Sequence, residues 1–254
     1  MKPIELLRAN NKRRRRVSPL KERRVIEVKY TRSLRAYIKQ VEQDTLETFK
    51  NNGLTLDTRA DDFAAAFRNL RAIHLGNPDQ ITTIVRAFTN ESEETHKRRF
   101  FESLTKSFGV DIQTLIDDEG LTETLSASVE ENVSLIKSIP EQYFEKVEQA
   151  VFRNLASGST DGLLAEIQKI GDVTESRARL IARDQNSKLN SRLTKARQEA
   201  LGVEEYRWVT AGDERVRKTH RDNNKQVFRW DSPPDETGHP GEDIQCRCIA
   251  QPII

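Results

Sequence analysis

The stretch TESRARLIARDQNSKLNSRLTKARQEAL, residues 174–201, decides the reading of this chain. Ala178, Ile181, Leu189, Leu193, Ala196 and Ala200 recur at helical spacing, and no residue between them breaks a helix. The apolar stripe is thin, and the other faces are rich in Arg, Lys, Gln and Asn. The spacing predicts a long helix packed on one side, with another side available to a partner. Gly202 supplies its stop.

Past Gly202 the periodicity changes. YRWVT at 206–210 and QVFRW at 226–230 have β-type composition and rough alternation, which predicts two strands. The polar segment 211–225 separates them. Pro233, Pro234, Gly238, Pro240 and Gly241 then make the end of the chain loop-rich. A segment this small, with few large apolar residues, needs a staple or a neighbour to hold its shape.

Upstream of the long helix, Leu163, Leu164, Ile167 and Ile170 predict a short helix closed by Gly171. Asp172 and Glu175 have capping-box spacing for a new start, with Asp in place of Ser or Thr. Residues 25–158 read as a helical domain. Leu34, Ile38, Val41, Thr45 and Phe49 share one face, and Asn52-Gly53 suits a C-cap. Phe63, Phe67, Leu70 and Ile73 form a second stripe, ended by Gly76, Asn77 and Pro78. Further stripes run through Ile81 to Phe88 and Phe100 to Phe108. Another runs through Leu121, Leu125, Val129, Val133 and Ile136 and is expected to stop before Pro140. No internal repeat stands out.

Residues 1–24 read as a basic flexible arm, because Lys12, Arg13, Arg14, Arg15 and Arg16 repel one another and Pro3 and Pro19 interrupt helix. The net charge of +2 hides this asymmetry. Residues 1–35 carry 13 Lys and Arg against 3 Asp and Glu, so the remaining chain is acidic. No apolar run reaches membrane-spanning length, and the N-terminus has no apolar segment of the secretory kind. A cytoplasm-like compartment is therefore expected, where Cys246 and Cys248 are thiols or metal ligands rather than a strained disulfide.

The C-terminal third resembles the phage Mu F-like head morphogenesis family, also described as the phage minor head protein family. The residues that carry the resemblance begin with SRARLIARDQ at 176–185, which includes Arg177 and Arg183, and Arg197-Gln198. They continue through YRWVTA at 206–211 with Trp208, DERVR at 213–217 with Asp213 and Arg215, and His220. They end in His239-Pro240-Gly241 and Cys246-Arg247-Cys248. In the family the His-Pro pair stands closer to the Cys-x-Cys than here, where residues 241–245 intervene. The resemblance covers roughly residues 160–254 and is carried by several uncommon residues in order. It implies a low-copy structural component of a phage head, near the portal, that assists head assembly and genome delivery.

Four groups of residues carry chemistry. His220, His239, Cys246 and Cys248 make a sensible tetrahedral zinc set, although one residue between the cysteines is tight for joint chelation. The competing reading puts Cys246 and Cys248 on an extended strand, facing opposite ways and binding nothing. Asp213, Arg215, Arg217 and His220 could form a general base oriented by a carboxylate. No nucleophile motif or Gly-rich phosphate loop accompanies them, so an Asp–Arg ion pair that folds the loop is preferred. Lys12 to Arg16, with Arg23 and Arg24, suit the phosphates of packaged double-stranded DNA or an acidic protein surface; a solvated tail is the plain alternative. Leu163 to Asp184 has a faint helix-turn-helix character, with an ordinary αα-hairpin preferred.

The expected fold is mainly α-helical, an elongated helical body followed by a small α+β, loop-rich module over 159–254. The expected function is structural rather than enzymatic: a minor capsid protein in the virion, made in the host cytoplasm. Its partners would be portal, major capsid or scaffold protein and packaged DNA, with no membrane and zinc as the one candidate cofactor. A metal-dependent nuclease or hydrolase built on the C-terminal His and Cys residues is the alternative.

Overall fold

The computed structural model describes residues 3–10, 16–51, 60–76, 78–111, 113, 120–157 and 162–254. The chain is mainly helical: α1 (Pro3–Asn10), α2 (Arg24–Asn51), α3 (Ala60–Gly76), α4 (Asp79–Phe108), α5 (Leu121–Ala156) and α6 (Leu163–Leu201) precede β1 (Glu205–Val209). Then come the short α7 (Lys218–Asp222), β2 (Val227–Arg229) and β3 (Ile249–Pro252). Among the described residues no helix is long and apolar enough to cross a membrane.

The chain gathers into two compact units, residues 27–87 with 129–182, and residues 1–26, 88–128 and 183–254. The divisions fall inside α2, α4, α5 and α6, where hydrophobic periodicity runs on without interruption.

In the unit of residues 27–87 and 129–182, the expected stripe of α2 is buried throughout: Leu34, Ile38, Val41, Thr45 and Phe49. Phe49, Phe67 and Phe144 pack edge to face, with centroids 6.5 and 5.6 Å apart. Ile73, expected on the same stripe as Phe67, is instead 68% exposed near the end of α3. The cap expected at Asn52-Gly53 lies outside the described residues.

Two breaks expected from the sequence are absent. Helix α5 continues through Pro140. A helix-interior proline costs about 3 kcal/mol, but Tyr143, Phe144 and Val147 beyond it are all buried. At about 1.5–3 kcal/mol each, their burial outweighs the proline. Helix α6 likewise runs on through Gly171, so neither a helix-turn-helix nor an αα-hairpin exists at 163–184. A Cβ on Gly171 would come 2.7 Å from the Glu42 carboxylate, the movable end of a side chain on α2, and the glycine makes no turn.

In the other unit the residues expected to be a free arm take part in the core. Ile4 and Leu7 of α1, with Val17, are buried among Phe100, Phe101, Leu104, Phe108, Leu201 and Val203. The apolar positions of PIELLRAN meet a ready phenylalanine surface on α4, which local charge and the flanking prolines do not reveal. Helix α6 ends as expected at Gly202, whose φ of +84° is the left-handed C-cap conformation. The backbone N–H of Val203 closes the cap onto the Gln198 carbonyl at 2.9 Å.

The sheet has the order β2-β1-β3, all antiparallel, with Tyr206 opposite Phe228 on one side and Trp208 opposite Ala250 on the other. The sequence reading missed β3, a four-residue strand ending in a proline with no alternation of its own. Tyr206, Trp208, Trp230, Cys246, Cys248 and Ala250 form the module's core.

Arg197 on α6 has a fully buried side chain. It reaches Glu93 at 2.6 Å and donates to His96 Nδ1 at 2.7 Å, both on α4. His96 Nε2 lies 2.9 Å from the Thr194 hydroxyl, which itself donates to the Asn190 carbonyl. Nδ1 must then be the acceptor and Nε2 the donor. Burial, then the charges of Arg197 and Arg99, hold the His96 imidazole well below its usual value of 6.5, so the folded state keeps it neutral. The unfolded chain takes up a proton near 6.5, so this contribution to stability is complete above that pH and is lost as the pH falls below it. Urea unfolding between pH 8 and pH 5 should show stability declining below about 6.5, with a shallower decline in His96→Gln. Glu93→Ala should cost about 3 kcal/mol in the same measurement, because it leaves the buried Arg197 without its carboxylate.

Candidate metal centre

The site is built on α6, residues 183–201. Asp184, Ser187, Ser191 and Gln198 lie on one side of the helix, at spacings of three, four and seven. Each holds a different point of the C-terminal chain. Asp184 accepts the Gln245 backbone N–H at 2.6 Å, and Ser187 donates to the Cys246 carbonyl. Ser191 donates to the Pro240 carbonyl, and Gln198 donates to the Ala250 carbonyl at 2.9 Å. Gly241 permits the close approach: a Cβ there would meet Ser191 Cβ at 2.6 Å, and its φ is +92°. Gln245 adopts φ +58°, a conformation rare for a non-glycine residue, immediately before Cys246. The polar face of the helix, expected to await a partner, is therefore occupied by the chain's own C-terminal segment.

This anchoring brings Cys246 and Cys248 to the same place. Both thiols are free and buried, and both sulfurs lie 3.4 Å from His220 Nδ1 on α7. The reading in which the two cysteines face opposite ways does not hold, because the chain turns at Gln245 and enters β3 only after Cys248. His220 Nε2 faces Asp243 Oδ2 at 2.8 Å, and its ring stands edge-on to Trp208 with centroids 5.5 Å apart. The ligand atoms of His220, Cys246 and Cys248 all lie within 4.8 Å of one another.

The two thiols are electrostatically unequal. The Cys248 thiol donates toward Cys246 and pulls it down to about 6. The backbone N–H groups of Cys248 and Gly241, at 3.4 and 3.3 Å, act in the same direction against burial. Cys248 moves far up, because it holds the proton it shares with Cys246 and is buried beside that thiolate.

The fourth residue expected in this set, His239, is elsewhere. Its Nδ1 pairs with the Tyr206 hydroxyl at 2.9 Å, its ring packs 4.9 Å from Trp230, and Lys195 Nζ lies 3.5 Å from Nε2. Residues 241–245 form the turns that separate it from the cysteines. Burial lowers the His239 pKa, with Lys195 acting the same way and Glu242 opposing. His239 is a packed histidine at the foot of the sheet.

Asp213 does not orient His220. It forms a two-pronged ion pair with Arg247, at 2.6 and 2.7 Å, which holds its carboxyl below the usual range. An Asp–Arg pair does fold the loop, but its arginine is Arg247 and not Arg215 or Arg217. Sequence reasoning missed Asp243, the actual carboxylate partner of His220; its only signal was its place between the His-Pro and the cysteines.

A cavity of about 180 Å³ opens beside the cluster, lined by His220, Cys246 and Cys248. Arg183, Arg215, Arg217 and Arg247 surround it. A larger groove of about 710 Å³ runs along α4 beside Glu94, Lys97, Arg98 and Lys106, but its lining holds no His or Cys. Of the other residues singled out from the sequence, Arg177 binds Gln142 and Ser138 in the other unit, and Trp208 is buried on β1. Lys12, Arg13, Arg14 and Arg15 lie outside the described residues, while Arg16, Arg23 and Arg24 are exposed.

Tyr206→Phe should lower stability by about 1–2 kcal/mol in thermal or urea unfolding, because it removes the hydroxyl partner of the buried His239 Nδ1. The same variant should leave the His220 and cysteine cluster unaltered, which thiol titration of the folded protein would check.

An uncharacterized protein of Haemophilus influenzae is 31% identical to this chain over 259 aligned residues. The alignment covers 98% of this chain and 58% of that relative, so the chain spans somewhat more than half of the relative's length. No solved structure matches the chain. Residues 145–251, which contain all of α6, the sheet but for the last residue of β3, and the whole cluster, match the family model described as Phage Mu protein F like protein; the resemblance carried by the C-terminal motifs is a family resemblance.

Proposed function

We propose that the protein is a minor head protein of a tailed bacteriophage, with a structural part in head morphogenesis close to the portal. The observation that carries this reading is the match of residues 145–251 to the Phage Mu protein F like family. The structure of that region supports it. Polar residues along α6 hold the C-terminal module in place. Portal, major capsid or scaffold protein is the partner, and the protein acts in the virion. Imaging of purified procapsids that carry a tagged chain tests this directly. Density for the tag at the portal vertex is the expected result, and a chain absent from procapsids and heads overturns the reading.

The basic N-terminal segment contacts packaged DNA in this reading. Thirteen Lys and Arg in residues 1–35 face an acidic remainder, and a polyanion competes with that internal attraction by releasing condensed counterions. Replacing Arg13, Arg14, Arg15 and Arg16 with Ala should weaken binding to duplex DNA and flatten its salt dependence, each lost phosphate contact removing about 0.9 from the slope of log affinity against log salt. Incorporation into heads should be unchanged. A variant missing from otherwise normal heads would make the segment a protein-docking element instead. DNA cleavage that requires a divalent metal and disappears in His220→Ala would favour the nuclease alternative.

A further inference from the structure

Asp243 decides how His220 presents itself. A carboxylate only accepts, so at 2.8 Å from Nε2 it places the ring proton there and leaves the Nδ1 lone pair bare. That lone pair sits 3.4 Å from both sulfurs. A tetrahedral zinc ion, with Zn–S of about 2.3 Å and Zn–N of about 2.0 Å, sets neighbouring N and S ligands roughly 3.5 Å apart. Both N–S spacings already suit an ion between the three atoms. The carboxylate–imidazole–donor order is the outer-sphere arrangement that fixes a metal-binding histidine. The Cys246 sulfur also receives two backbone N–H groups, from Gly241 and Cys248, which favours the thiolate that a metal requires.

The geometry points to a zinc ion held by His220 Nδ1 and the sulfurs of Cys246 and Cys248, with a fourth position open to the arginine-bounded cavity and filled by water or a small anion. His239 takes no part, so the ligand set differs from the four-residue set read from the sequence. Asp243 acts through His220 as a positioning residue. The fourth ligand comes from outside because the cavity lies against all three donors. Arg217 is engaged by Asp243 and Arg247 by Asp213, whereas Arg183 and Arg215 make no salt bridge among the described residues and give the cavity its attraction for an anion. The ion ties the five-residue α7, too short to persist alone, to the entry of β3. This inference rests on the cluster alone and stands whether or not the protein acts in a phage head.

The test is cobalt(II) titration of the reduced full chain, followed by absorption. One equivalent should give tetrahedral ligand-field bands and a thiolate-to-cobalt band of two-thiolate intensity, with zinc displacing the cobalt. Added azide should shift the ligand-field bands. His239→Gln should keep the spectrum, His220→Gln should lose it, and Asp243→Asn should weaken cobalt affinity about 10- to 100-fold with helicity unchanged. Failure of the unaltered chain to bind one equivalent, or a Cys246–Cys248 disulfide in its place, overturns the site. Loss of the spectrum in His239→Gln overturns the ligand set, and indifference to azide overturns the open position. The unaltered protein's own thiolate band decides the matter even where a variant does not fold.

Discussion

The C-terminal module depends on the polar side of α6. Asp184, Ser187, Ser191 and Gln198 fasten the chain at residues 245, 246, 240 and 250. Each such bond contributes only about 0.5–1.5 kcal/mol net, but leaving a buried partner unmade costs about 1–3 kcal/mol. The row therefore acts more on register than on total stability. A loop-rich segment with few apolar residues has many compact arrangements of similar energy. Four polar anchors spaced along a rigid helix leave one in which the helix's polar side chains meet the carbonyls and N–H group of the returning chain.

Those anchors also decide the chemistry. The Asp184 and Ser187 contacts hold the turn in which Gln245 takes a positive φ, and that turn aims both cysteine sulfurs at His220. Trp208 on the central strand fixes the other side of the imidazole. The cluster thus draws on α6, β1, α7 and the entry to β3. The same helix carries Arg197 and Thr194 into the pairing with Glu93 and His96, so buried polar residues stand beside Leu189 and Leu193 along it. A helix buried on polar residues is committed to specific neighbours, because slippage would strand charges without partners.

One tight backbone approach follows from the same demand for closeness. Gly241 admits Ser191 against its backbone, whereas Gly171 faces only the movable end of the Glu42 side chain. Neither is a helix stop, although one was read as such. The glycine that does end the helix, Gly202, differs in its left-handed φ with the capping bond from Val203.

The sequence by itself determined the helical class, the α2 stripe, the end of α6 at Gly202, two of the three strands, and the presence of His220, Cys246 and Cys248 in one small module. These follow from periodicity, cap chemistry and composition, which act between near neighbours. The family resemblance was legible for a related reason: its motif residues are uncommon and ordered along the chain. Only the tertiary structure decided which histidine joins the cysteines, that Asp243 and not Asp213 faces His220, and that α1 packs on the phenylalanines of α4. It also decided that Pro140 and Gly171 lie within helices, since distant burial outweighs a local cost of about 1–3 kcal/mol. Above all it decided that the polar side of α6 is interior. Polarity in a sequence signals contact with water unless a partner is known, and here the partners are carbonyls and N–H groups some 50 to 60 residues downstream, invisible to any local pattern because every residue has them.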